Sequence, residues 1–500
     1  MPKRKTKKFS AMKNRKLFKD FVNISEGNSR EERNLSVLRA AYRTWLGGSE
    51  LRRSRLRNKR FTYGDQWGDL TVDHDGQRVT EWERYCAGGD APITNNLIRH
   101  LVKSIVGRFR SEALGKEDAK TGNPKIDRNV LNELDCRCFE EFLISGSCVQ
   151  RVDSSGRFSR GDVEVRNVNL NKFFVNAISD PLCRDCEIVG ELHDLSVSEL
   201  LRLTAGGNRR RAEWIRSLYS DNAELRAAEC ATRLGADSQS GTDFWHTHGN
   251  KCRAIEVWTL ESHEVMVSVD RKSGAKKVEP FTPMRKRDIR QDTETYWDVE
   301  NTWHCRWFSP MGDLLTEYDA PKNTGSHPFV FKFYPLTDSE VHSMVEDVID
   351  QQKYVNRLIT LIDHILSATA KGVLLYPEGT LPDGFSWNDV RRVWSKSNGV
   401  IPYLPAASGD KPVQISANIT DIGAFEMIQL QLKMLEDVSG VSGALRGKGL
   451  NTGNSAALYQ REVESASTAM ADVYETFNSF RREREKKLEL AAKTQLSPQV

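Results

Sequence analysis

No stretch of this sequence is apolar for the 18 or so residues that a membrane-crossing helix needs, roughly the span of a bilayer. The N-terminal residues also lack the apolar core of a secretory signal, so export is not expected. Enzyme signatures are missing as well. No Gly-x-Ser-x-Gly turn presents a serine nucleophile, and no dinucleotide fingerprint follows a strand pattern. A P-loop needs Gly-x-x-x-x-Gly-Lys-Ser/Thr after a strand, so that main-chain amides and the lysine wrap the phosphates. The nearest candidate, Gly447-Lys448, has Ser442 where the first glycine belongs and Gly449 where the hydroxyl belongs. Both chemical requirements fail, which excludes nucleotide binding by that loop.

Metal-binding patterns are equally thin. Cys183-Arg-Asp-Cys186 has the spacing of half a zinc site. Cys136-Arg-Cys138 has the wrong spacing to complete it, and His193 stands alone. His246 and His248 have no carboxylate at useful spacing and read as a surface loop. Glu346, Asp347 and Asp350 share one helical turn with Val345, Val348 and Ile349. That mixture reads as the solvated side of a packed helix, not as a metal-dependent nuclease centre. An odd count of nine cysteines suits free thiols in a reducing compartment.

Charge of one sign is not in excess either. A net charge of +4 over 500 residues does not describe a protein that coats nucleic acid throughout. The excess is local: Lys3, Arg4, Lys5, Lys7, Lys8, Lys13, Arg15, Lys16 and Lys19 all precede the first acid, Asp20. Such an arm reads as a solvated, disordered tail over residues 1–30. It also suits an electrostatic contact with DNA or with an acidic scaffold or capsid surface.

What is present is enough chain for two or three cores. Helices are expected over residues 32–46, 95–109, 127–144, 196–203 and 212–218, with a loop-rich patch around Trp67 and Trp82. Gly146 should turn the chain into strands at 147–152 and 162–168. From 251 to 333 the pattern is of strands, with Ile255, Val257, Trp258 and Val265 recurring and a charged tip over 271–290. The first two thirds thus read as an α+β body.

Residues 338–467 are the most informative. A long amphipathic helix over 339–370 places Val345, Val348, Ile349, Val355, Leu358, Ile359, Ile362, Ile365 and Leu366 on one stripe. A compact insert over 371–418 follows, then a helix over 422–438. The loop Ser439-Gly-Val-Ser-Gly-Ala-Leu-Arg-Gly-Lys-Gly-Leu-Asn-Thr-Gly-Asn holds five glycines, which cannot pack a core. It must act by moving or by touching something. Helix resumes at Ser455.

This order resembles the heart of a tailed-bacteriophage portal protein, the head-to-tail connector family. Short stretches add to the likeness: Asp347-Val-Ile-Asp-Gln-Gln-Lys-Tyr-Val-Asn, Gly453-Asn-Ser-Ala-Ala-Leu, Tyr63-Gly-Asp-Gln-Trp and Ala91-Pro-Ile-Thr-Asn-Asn-Leu-Ile. The resemblance implies a portal-type architecture: a mixed α/β wing (31–338), stem helices (339–370 and 419–438) around a small α/β clip (371–418), and a tunnel loop (439–454). A long kinked wing helix with a short or missing crown (455–493) and a tail (494–500) complete it. Arg481-Arg-Glu-Arg-Glu-Lys-Lys reads as a charged amphipathic tail to that helix.

The resemblance further implies a homo-oligomeric ring, a dodecamer, in the virion at one capsid vertex, assembled in the host cytoplasm. No enzyme activity, cofactor, metal or membrane is implied. Partners would be double-stranded DNA without sequence preference, the terminase large subunit, head-completion or adaptor proteins, and major capsid and scaffold proteins. Leu445, Arg446, Lys448, Leu450 and Asn451 would contact DNA from the tunnel loop. Glu346, Asp350, Asp363, Glu426 and Glu436 would line the channel. Phe385, Trp387, Val393, Trp394 and Tyr403 would supply the clip's core, with Arg391, Arg392, Trp394 and Lys396 facing the terminase and adaptors. Two other readings stay open: a different DNA-binding head or assembly protein, and a metal-dependent nucleic-acid-processing enzyme.

Overall fold

The computed structural model describes residues 30–73, 75–87, 91–114, 128–153, 163–219, 223–235, 242–246, 251–271, 273–281, 293–321, 324–371, 373–377, 379, 381–394, 400–405, 411–415, 423–441, 468 and 470–496. The basic arm, Lys396, the start of the last helix, and Leu445, Arg446, Lys448, Leu450 and Asn451 lie outside the described residues. Two compact units divide the chain. One comprises Met1–Lys59, Val102–Glu346 and Ser467–Val500, the other Arg60–Leu101 and Asp347–Ala466.

In chain order the elements begin with α1 (Arg30–Gly47), α2 (Ser49–Tyr63), β1 (Leu70–Val72), β2 (Arg78–Thr80), α3 (Glu81–Ala87), α4 (Leu97–Leu114) and α5 (Arg128–Ser145). Next come β3 (Ser147–Asp153), β4 (Glu164–Asn167), β5 (Phe173–Val175), β6 (Ile188–Leu195), α6 (Val197–Thr204), α7 (Arg209–Leu218), α8 (Ala223–Arg233) and α9 (Thr242–Trp245). The strands β7 (Cys252–Asp270), β8 (Lys276–Pro280), β9 (Thr293–Phe308), β10 (Leu314–Asp319), β11 (Phe329–Phe333), β12 (Leu336–Thr337) and β13 (Glu340–Val341) follow. The chain closes with α10 (Met344–Lys371), β14 (Val373–Leu375), α11 (Trp387–Trp394), β15 (Val413–Ile415), α12 (Ala424–Ser439) and α13 (Ala471–Leu496). The fold is α+β.

In the first unit the main sheet is antiparallel, ordered β10-β9-β7-β6-β5, with β8 paired to the far end of β7. A second antiparallel sheet runs β11-β3-β4. The main sheet is covered on both faces. On one, α1 packs Leu38, Ala41, Tyr42 and Trp45 with Ile188, Leu192, Ile255, Val257 and Phe308. On the other, Trp258, Cys305, Trp307 and Leu315 meet Phe329 and Phe331 of the second sheet. Residues 252–259 are therefore buried continuously, without the alternation of a strand that has one wet face. Gly190 on β6 permits this closeness. A Cβ there would sit 2.2 Å from the Glu256 carbonyl oxygen and 2.3 Å from Phe174 Cζ. At Gly146, φ of +69° makes the expected turn from α5 into β3.

Helix α13 belongs to this core. Phe477 and Phe480 are fully buried, and the Phe477 ring lies 4.8 Å from Phe139 and 5.4 Å from Phe109. The charged run at residues 481–487, read from the sequence as a charged amphipathic tail, has fixed partners for several of its charges. Arg481 Nε donates to Asp135 Oδ2 at 2.9 Å, and the buried Arg484 pairs with Asp135 and donates to Gln150 Oε1 at 3.2 Å. Glu483 pairs with Lys332 at 2.7 Å, and Lys487 Nζ donates to the carbonyls of His327 and Phe329. Long charged stems cover apolar surface while their heads find fixed partners, so a charged run need not mean a free one.

Other expectations shift for local reasons. The patch after residue 47 holds helix α2, hidden because six basic residues dilute its apolar stripe. It is anchored by polar side chains instead. Arg55 grips Glu141 and Asn171, and Asn58 Nδ2 donates to Ser343 Oγ at 2.8 Å and to the Ile144 carbonyl at 3.1 Å. The alanine-rich stretch after α7 is helix α8, with Ala227, Cys230 and Ala231 buried. Helix α10 starts at Met344 rather than 339, because Asp338 and Ser339 adopt positive φ in the β12–β13 turn. Ser343 then caps it, accepting from the Glu346 N–H at 3.1 Å.

Candidate functional site

In the second unit a buried amide network fastens α10 to the residues before α4. Gln352, Asn356 and Thr360 recur every fourth residue on the inner side of α10, all nearly inaccessible. Gln352 Oε1 accepts from the N–H groups of Leu97 (2.9 Å) and Ile98 (3.2 Å), while its Nε2 donates to the Asn95 carbonyl (2.6 Å). Asn96 takes the next donor, accepting from Arg99 N–H at 3.0 Å. The first turn of α4 is thus capped jointly by its own asparagine and by a glutamine from another helix. Asn356 Nδ2 donates to Gln66 Oε1 at 2.6 Å, and Asn95 N–H donates to Asn356 Oδ1 at 3.0 Å. Gln66 Nε2 closes the network on Asn96 Oδ1 at 3.1 Å. Lys353 adds ion pairs to Asp69 (2.6 Å) and Glu81 (2.9 Å).

Three stretches singled out by resemblance therefore meet in space: the Gln-Trp run, the Pro/Asn-led start of α4, and the Asp-Gln-Gln-Lys segment of α10. Sequence reasoning expected Asn95 or Asn96 to cap α4, as Asn96 does, but gave Gln66, Gln352 and Asn356 no role. The available signal was the polar file Gln352, Asn356, Thr360 within an otherwise apolar stripe.

Of the expected channel residues, Asp350, Asp363 and Glu426 are exposed and Glu436 is half-buried. Glu346 is the last residue of the first unit, where it is half-buried and accepts from Ser54 Oγ at 3.1 Å. The apolar stripe of α10 is deep only in its first half. Val345, Val348, Ile349 and Val355 are buried, whereas Leu358, Ile359, Ile362 and Ile365 are half-buried. On α12, Met427, Leu430, Met434 and Val438 expose 38%, 49%, 41% and 48% of their surface. Spaced three, four and four apart, they form one uncovered apolar file on the single chain.

Between these helices, β14 and β15 pair antiparallel (Val373 with Ile415, Leu375 with Val413), and α11 follows a Ser386–Asp389 capping box. Among the described residues, the aromatic core expected here is not found. Trp387 and Tyr403 are 50% and 40% exposed, Phe385, Val393 and Trp394 are half-buried, and Val390 is the buried side chain of α11. The described elements, an eight-residue helix and two three-residue strands, offer little surface to enclose so many rings. Tyr376 packs edge-on to Trp387 at 5.7 Å instead. Arg391 and Arg392 are exposed, and Arg392 pairs with Asp389 at 2.9 Å.

Residues 136–493 match the family model of the phage P22-like portal protein, more than half of the chain. The chain belongs to that portal family. The match spans α10, the insert, α12 and α13 up to residue 493, and it begins after the Gln-Trp and Pro/Asn stretches. A comparison with curated proteins found no match. Portal proteins are structural components of the bacteriophage capsid vertex, and the resemblance drawn from the sequence is upheld.

The portal chain also holds a buried charge cluster that composition did not reveal. Glu191, His193 and Glu256 bring ligand-type atoms within 4.8 Å of one another. Arg151 Nη1, however, meets Glu256 Oε2 and lies 3.5 Å from Glu191 Oε2, the same two oxygens. Arg166 grips Glu191 with two bonds of 2.9 and 2.7 Å, and His193 Nε2 lies 2.7 Å from Glu256 Oε2. The cluster has its cation built in, so it reads as an ion network joining β3, β4, β6 and β7. Burial alone would push the Glu256 carboxyl up, but the charges and hydrogen bonds of Arg151 and His193 hold it well below the usual range. Burial pushes the Cys183 thiol up to about 12 and raises Cys186 further, which leaves both as inert thiols.

Proposed function

We propose that this portal protein assembles into a closed ring of identical copies, a dodecamer, at a unique vertex of the capsid. The ring would be the channel through which DNA is packaged and later ejected. It would also be the platform for the terminase large subunit and then for head-completion or adaptor proteins. The family match over residues 136–493 is the observation that carries this reading.

In this reading α10 and α12 are the stem, the insert between them is the clip, residues 439–454 are the tunnel loop, and α13 belongs to the wing. A cyclic ring needs a heterologous contact between neighbours. The uncovered file Met427, Leu430, Met434 and Val438 supports one on α12. Exposed acids such as Asp350, Asp363 and Glu426 suit a lining that does not grip phosphates, and DNA passing without sequence preference calls for backbone contacts only. Arg391, Arg392, Trp394 and Lys396 would face the motor and adaptors. Leu445, Arg446, Lys448, Leu450 and Asn451 would touch DNA.

Negative-stain images of the purified protein test the proposal. Rings of uniform subunit number with an axial opening are expected, and lone particles would overturn it. Replacing Arg446 and Lys448 with alanine should weaken DNA retention in assembled heads while rings persist. Unchanged DNA content would remove the tunnel-loop assignment.

A further inference from the structure

The main sheet of the first unit continues past its covered part as a three-stranded extension. Residues 265–269 of β7 pair with β8 on one side and with residues 294–298 of β9 on the other. The next strand, β10, reaches only from His304 to Phe308 along β9. Among the described residues, therefore, β9 from Thr293 to Thr302 has a free outer edge, and so does β8. Free edges are templates for pairing, and proteins that keep them single guard them with lysine, proline or a bulge. Thr293-Glu-Thr-Tyr-Trp-Asp-Val-Glu-Asn-Thr302 contains no lysine, arginine or proline, whereas β8 carries Lys276, Lys277 and Pro280, so its edge is guarded unless an acidic strand meets the lysines. On β9, Tyr296, Trp297 and Val299 are 42%, 54% and 41% exposed.

The two edges are opposite in charge on one face. Directly paired residues share a face, so Val265, Val267 and Val269 lie with Pro280, Val278 and Lys276 of β8, and with Asp298, Tyr296 and Glu294 of β9. Glu300, opposite His263, continues the same row. On that face β9 presents three acids and a tyrosine, while β8 presents a lysine and a valine 51% exposed. Among the described residues, neither Lys276 nor Glu294, Asp298 or Glu300 is in an ion pair.

We infer that the β9 edge of one copy pairs with the β8 edge of the next copy, so that the extensions join into one sheet around the ring. The partner is a second copy because each chain carries both halves of a complementary pair. Two different self-complementing surfaces are what a cyclic, head-to-tail assembly requires. The geometry also sets the direction. β8 and β9 both run antiparallel to β7 and hence parallel to each other, so the contact between copies is a parallel strand pair. With Tyr296 beside Val278, Glu294 of β9 then meets Lys276.

This inference rests on the ring reading, and cysteine cross-linking in the full-length protein separates the two. In a Cys86→Ser background, which removes the exposed cysteine among the described residues, Val278→Cys is combined with Tyr296→Cys or with Asp298→Cys. Mild oxidation of assembled protein should give a ladder of linked copies on a non-reducing gel. Val278→Cys with Trp297→Cys, which lie on opposite faces, should give at least tenfold less. Rings in the micrographs without a ladder from either face-sharing pair overturn the edge contact and leave the ring standing. Lone particles remove both. As a second measurement, Lys276→Glu should cut the ring fraction at least tenfold. Adding Glu294→Lys in the same chain should restore it, and undiminished rings in the first variant count against the contact.

Discussion

Gln352 caps a helix to which it does not belong. Its Oε1 accepts from the Leu97 N–H at 2.9 Å, and its Nε2 returns a bond to the Asn95 carbonyl at 2.6 Å. One buried side chain thus accepts from main-chain donors in the first turn of α4 that no residue of that turn's own helix can satisfy.

Replacing Gln352 with alanine should be costly, because it removes the acceptor of the buried Ile98 N–H, while the Leu97 N–H and the Asn95 carbonyl keep their mutual bond of 3.0 Å. An unsatisfied buried group costs about 1–3 kcal/mol, and a loss in that range is expected. Urea denaturation of the purified protein measures it. A change below about 1 kcal/mol would show that the network is ornamental to stability.

Asp135 holds two arginines of α13, one of them fully buried. Asp135→Asn should destabilise by about 3–5 kcal/mol, since it leaves a buried guanidinium without its counter-charge. Adding Arg484→Met to that variant should recover part of the loss. Protease susceptibility of the C-terminal helix reads out both, and equal susceptibility in the single variant and wild type would contradict the role given to Asp135.

The pH response of Lys487 has a definite sign. Burial lowers its amine from 10.5 to about 8, with nearby Glu483 offsetting part of the effect. Between these values the unfolded chain holds a proton that the folded chain has lost, so this group adds stability as pH rises. Below about 8 both states are charged, and the folded state bears a cost of at most about 3 kcal/mol. The stability of wild type relative to Lys487→Met should therefore increase from pH 8 to 10. A difference that stays flat across denaturation curves at pH 7, 8, 9 and 10 would falsify the assignment.

Leu430 and Met434 test the ring face. Both are exposed, so Leu430→Lys with Met434→Lys should change folding stability by no more than about 0.5 kcal/mol per site. Mass photometry should nevertheless show rings giving way to smaller species. Normal rings alongside normal thermal unfolding would move the contact away from α12.

Much of the secondary structure was legible. Periodicity placed the helices now seen as α4, α5 and α10 within a few residues, since each has a strong apolar stripe at helical spacing. Two features were not legible, for one reason. Helix α2, in a patch read as loop, is seated by Arg55 and Asn58, and the expected C-terminal helix α13 is held by Arg481, Arg484 and Lys487 as well as by its apolar side. A pattern built on apolar spacing cannot see a polar anchor. The aromatic residues of the insert misled in the opposite sense, because apolar character says nothing about whether enough chain surrounds a ring to bury it.

By itself the sequence determined the class of this protein. The order of long helix, compact insert, helix, glycine-rich loop and helix, with no intact catalytic motif, resembles that of a portal protein. Tertiary structure alone decided which polar side chains are anchors and which are surface. Gln352 and Asp363 differ little on paper, yet one is sealed against Asn95 and the other faces solvent. The reason is that a hydrogen bond's worth depends on the loss of competing water, and only the fold settles where water is excluded.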